Sequence, residues 1–91
     1  MRIPLEAVSY RSEPQPGVIE AYLTDADGFH WQIVEKTVMF YEWAELDHET
    51  VFPRAVSLEC RLSRDHGGPT VIIWLPDVSD RSYEVSRAVL M

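Results

Sequence analysis

Segments that alternate apolar and polar residues with a period of two recur along this chain, each closed by a turn cluster rich in glycine, proline or aspartate. That pattern constrains the fold more than any other feature, because a two-residue period sorts side chains onto the two faces of a β-strand. The clusters are Pro14-Gln15-Pro16-Gly17, Asp25-Ala26-Asp27-Gly28, Asp65-His66-Gly67-Gly68-Pro69 and Pro76-Asp77-Val78-Ser79-Asp80. All four glycines fall inside them, where positive φ is cheap, and proline stops a strand by removing an amide donor. The best-defined hairpin joins Val18–Thr24 (Ile19, Ala21 and Leu23 on one face) to Phe29–Val34 (Phe29, Trp31 and Ile33) across Asp27-Gly28. Thr37–Tyr41 reads as a continued extended stretch. Arg54–Arg64 alternates as one strand, with Val56, Leu58, Cys60 and Leu62 inward and Ala55, Ser57, Glu59, Arg61 and Ser63 wet. Thr70–Leu75 is apolar throughout, which predicts a central strand paired with Arg54–Arg64. Ile3–Tyr10 and Ser82–Leu90 read as the first and last strands.

Residues 42–50 break the pattern. Glu42, Ala44, Glu45 and Leu46 favour a turn or two of helix, which must end before Pro53. The expectation is therefore a mainly β fold in a single domain, residues 1–91. It is a small antiparallel barrel or two-sheet sandwich of five to six strands, with one short helical segment around 42–50. No internal repeat or low-complexity segment interrupts it.

The run from Asp27 through Phe40, DGFHWQIVEKTVMF, followed by the cysteine-containing strand Ala55-Val56-Ser57-Leu58-Glu59-Cys60, resembles a pattern of small uncharacterised bacterial β-domain proteins. The resemblance covers about half the chain. It implies a β fold and supplies no activity.

Charge bears on partners. Residues 13–50 hold nine acids (Glu13, Glu20, Asp25, Asp27, Glu35, Glu42, Glu45, Asp47, Glu49) against Lys36 alone. Residues 51–91 balance five acids, Glu59, Asp65, Asp77, Asp80 and Glu84, with five arginines, so the formal charge of −7 arises in one half. Such a field repels nucleic acid and anionic lipid and attracts basic partners. The longest apolar run, Val71–Leu75, is far too short to span a membrane. The N-terminus lacks the apolar core of a signal peptide, and the lone Cys60 permits no intrachain disulfide, so a cytoplasmic location is expected. A domain this small without staples leaves homodimerisation open as a source of stability.

Chemistry-bearing residues do not assemble into a motif. His30, His48 and His66 are eighteen residues apart, unlike the close ligand pairs of zinc sites, so no metal is expected. Ser63, Asp65 and His66, or Cys60 with a histidine, lack a nucleophile elbow and activating groups. Asp25-Ala26-Asp27-Gly28 matches only a fragment of a calcium loop. No cofactor is implied. Trp31 and Trp74 sit in strands and read as core, whereas Trp43 lies in the non-strand segment, where interface aromatics are often found. The expectation is a non-catalytic protein-interaction domain whose binding residues are Glu42, Trp43, Glu45, Asp47 and Glu49, facing a basic partner. A nuclease-neutralising immunity protein is one concrete version. The alternative is a β-barrel that binds a small molecule or metal in an interior pocket lined by Tyr22, Trp31 or Trp74.

Overall fold

The computed structural model describes residues 1–76 and 78–91; Asp77, counted above among the acids and turn residues, lies outside them. Among the described residues seven antiparallel strands form two sheets around one apolar core. The first sheet has the order β3-β2-β1-β4, with β1 at Arg2–Arg11, β2 at Val18–Thr24, β3 at His30–Lys36 and β4 at Arg54–Glu59. The second has the order β5-β6-β7, with β5 at Arg61–Arg64, β6 at Thr70–Trp74 and β7 at Ser82–Ser86. The sheets do not close on one another, which corrects the barrel expectation and leaves an open two-sheet arrangement.

The hairpin expected from Asp27-Gly28 is present, with Leu23 opposite Trp31 and Ala21 opposite Ile33. Asp25 builds its turn: one carboxylate oxygen accepts the amides of Asp27 and Phe29, and Gly28 takes a φ of 83° that side chains resist. Ile19, Ala21 and Leu23 on β2 and Ile3, Leu5 and Ala7 on β1 point inward and are fully or almost fully buried. Val71, Ile73, Tyr83 and Val85 of the second sheet meet them in the same cluster. Val8 forms a bulge between Ala7 and Ser9, which lets β1 bend while both its ends stay paired.

Several expectations are corrected. Arg54–Arg64 is two strands belonging to different sheets, which raises the strand count to seven. The chain changes sheet at Cys60, whose amide bonds the Met1 carbonyl. Leu62, expected inside, is 45 % exposed, because β5 is a short edge strand whose register against β6 shifts between Leu62 and Arg64. Ser57, expected on a wet face, is buried. Thr37–Met39 is a 3-10 turn rather than extended chain, and the helical segment within 42–50 is one 3-10 turn, Trp43–Glu45. Trp74, expected in the core, is exposed. Strand β7 stops at Ser86, followed by a 3-10 turn at Arg87–Val89, after which Met91 and Arg2 exchange both backbone hydrogen bonds. Among the described residues no helix is long and apolar enough to cross a membrane.

Candidate functional site

Residues 37–50 run along the outer edge of β4. Phe40, buried in the core, bridges to Leu58 of β4. Next, the Tyr41 amide donates to the Ser57 carbonyl at 3.1 Å, and the Glu42 carboxylate accepts the Ser57 amide at 2.7 Å and its hydroxyl at 2.8 Å. Ser57 thus has both outward backbone groups and its side chain satisfied. The carboxylate stands where a neighbouring strand's carbonyl would be, which explains how a serine on the outer side of an edge strand becomes buried.

The remaining candidate acids have separate surroundings. Glu45 pairs with Arg54 at 2.8 Å, and its carbonyl accepts from Arg54 and Thr50. The Asp47 carboxylate caps its own turn by accepting the Glu49 amide, and the Thr50 hydroxyl accepts the Asp47 amide. Glu49 is exposed, 3.8 Å from His48. Asp47 and His48 border an open cleft of about 710 Å³ shared with Tyr10, Arg11 and Glu13 at the end of β1. Glu42, Glu45 and Asp47 thus each have a partner of their own, in Ser57, Arg54 and the Glu49 amide.

Trp43 faces elsewhere. It is 55 % exposed, and with Val38 and Tyr41 it lines a shallow depression of about 280 Å³ closed by Met39, Phe40 and Glu59. Val38 and Tyr41 are themselves 51 % and 42 % exposed. Tyr41 is pinned from two sides: its hydroxyl donates to the Glu59 carboxylate, and the Arg2 guanidinium lies 3.9 Å from its ring centre. The bond to Glu59 raises the Tyr41 phenol above its ordinary pKa and lowers the Glu59 carboxyl below its own. Trp43 has no such partner on its ring among the described residues. Reading Thr37–Tyr41 as a strand hid Val38 from this patch; only the tight 3-10 turn brings it beside Trp43.

The other chemistry-bearing residues stay apart. Among the described residues no three His, Cys, Asp or Glu side chains gather as a metal site would require. The Cys60 thiol is buried, and burial pushes its pKa up. Asp25 is held below the ordinary carboxylate range, first by the Trp31 indole N–H at 2.9 Å and then by its turn amides. Trp31 packs on Tyr83 at the margin of the core, Tyr22 bonds Glu20 on the opposite face of the sheet, and Trp74 borders a separate depression with Val78 and Asp80. These three aromatics do not line a common interior. Comparison with protein-family models, curated proteins and solved structures found no match.

Proposed function

We propose that this chain is a non-catalytic, acidic protein-interaction domain that presents Trp43, flanked by Val38 and Tyr41, to a basic partner. One observation carries the reading: a half-exposed tryptophan sits in an apolar depression whose floor is fastened to the sheet by Phe40, Tyr41 and Glu42. Large aromatics on a rigid support bury much area on binding and lose little entropy, which is why they recur as binding hot spots. The charge of −7 favours a partner of opposite sign and speeds encounter with it.

The test is selection of a displayed random-peptide library on the immobilised domain, followed by affinity measurement on Trp43→Ala. Lysine- and arginine-containing peptides should be enriched. Trp43→Ala should weaken them by about 2 kcal/mol, roughly thirtyfold, with the thermal transition unmoved. Equal binding by Trp43→Ala, or enrichment of acidic peptides, refutes the proposal.

A further inference from the structure

Two sheets offer four outer edges, and the chain blunts three of them. The β4 edge is covered by Phe40–Glu42. The β7 edge is met by the Ala26 amide, which donates to the Glu84 carbonyl at 2.8 Å. The β5 edge is only four residues long, broken by a register shift and flanked by Arg61 and Arg64. These are the usual devices against unwanted pairing.

The β3 edge has none of them along most of its seven residues. The Asp25 amide bonds the Phe29 carbonyl and the Thr37 amide bonds the Gly17 carbonyl, so the odd-numbered residues of this arm face β2. By the alternation of an antiparallel ladder, the backbone groups of His30, Gln32, Val34 and Lys36 point away from the sheet. The Lys36 amide is taken by the neighbouring Glu35 carboxylate at 3.1 Å. Among the described residues nothing bonds the outward amides and carbonyls of His30, Gln32 and Val34, and the Val34 side chain is 47 % exposed. This strand contains no proline and no bulge.

We propose that the free edge of β3 receives an extended, lysine- or arginine-rich segment of a partner protein by strand addition. Main-chain bonds to His30, Gln32 and Val34 would set the register, and Val34 would offer an apolar contact to one side chain of the added strand. Charge selects the occupant. The β2–β3 hairpin carries Glu20, Asp25, Asp27 and Glu35 against Lys36, and the Glu20 carboxylate stands opposite Val34 in the adjacent strand. A second copy would bring the same acidic hairpin against itself, whereas a basic segment meets the opposite sign. This surface is separate from the Trp43 patch, and the inference stands independently of it.

The probe is a capped synthetic peptide in which lysine alternates with threonine, long enough to span β3, added to the isotope-labelled full chain. The Gln32 and Val34 amides should shift and become protected from hydrogen exchange, and a peptide with glutamate in place of lysine should bind far more weakly. Val34→Pro removes one outward donor without touching the β2 ladder, so the lysine peptide should bind about five- to tenfold more weakly. Val34→Lys, which alters no backbone group, should weaken it too and keeps the test decisive if the proline variant fails to fold. Unchanged binding by a folded Val34 variant, or amide shifts centred on Trp43, overturns the inference. So does a concentration-dependent dimer that protects Val34 without peptide, because it would make the occupant a second copy.

Discussion

The two edges of the four-stranded sheet start from the same chemistry and end differently. Both β3 and β4 turn alternate backbone groups outward. At β4 the preceding connection runs alongside, anchored by the buried Phe40, and the Tyr41 amide and Glu42 carboxylate satisfy the outward carbonyl and amide of Ser57. At β3, among the described residues, the only satisfied outward amide is that of Lys36, taken by its own neighbour. The contrast shows that an acidic side chain need not be solvating surface. Glu42 completes a sheet edge, Glu35 closes one position of another, and Glu49 has only a distant histidine beside it. The covered edge then carries the exposed aromatic patch, while the bare edge keeps its hydrogen-bonding capacity.

The largest expected effect tests the anchor of the covered edge. Phe40→Ala removes a side chain that is 1 % exposed and should cost about 3–5 kcal/mol in chemical denaturation. Exposure of Ser57, Tyr41 and Trp43 to solvent should increase with it. A loss below about 1 kcal/mol would mean that the edge is held by hydrogen bonds alone.

Glu42→Ala comes next. It leaves the buried Ser57 amide and hydroxyl without acceptors, which should cost about 2–3 kcal/mol. Glu49→Gln, which removes an equal formal charge seven residues along the chain, should stay within about 0.5 kcal/mol. Equal costs for the two would erase the distinction between an edge-completing acid and a solvated one.

The smallest effect comes from a reference pair remote from both edges. The Asp65 carboxylate binds the Arg87 guanidinium and the Gly67 amide, and these hold its pKa well below the ordinary 3.8. A carboxyl depressed in the folded state contributes stability above its unfolded pKa and loses it as pH falls through the folded one. The melting-temperature gap between wild type and Asp65→Asn should therefore be full at neutral pH and close only below about pH 3.8, the ordinary value. A gap that vanishes already near pH 5 would show that the Arg87 contact is absent in solution.

The legible parts of this fold are those specified by neighbouring residues. Strand β2 begins and ends where its alternation does, the Asp27-Gly28 turn sets the register of β3, and the apolar run of β6 makes it the middle strand of its sheet. The break at Cys60 was not legible, because alternation continues through a change of sheet and the cause is a bond to Met1, fifty-nine positions back. The burial of Ser57 was hidden for the same reason: its partner is fifteen residues away in a segment that reads as a run of similar acids. Of the candidate site, the exposure of Trp43 was legible from its place outside any strand. The separate roles of Glu42, Glu45 and Asp47 depend on contacts that no local pattern encodes.

Native-state hydrogen exchange, read residue by residue on the unbound chain, tests the difference between the two edges most directly. The Ser57 amide, bonded to Glu42, should exchange only with opening of the β4 edge and be strongly protected. The Gln32 and Val34 amides should exchange at nearly the rate of an unstructured peptide, while those of Trp31 and Ile33, facing β2, stay protected. Rapid exchange at Ser57 together with protection at Gln32 and Val34 would contradict the account.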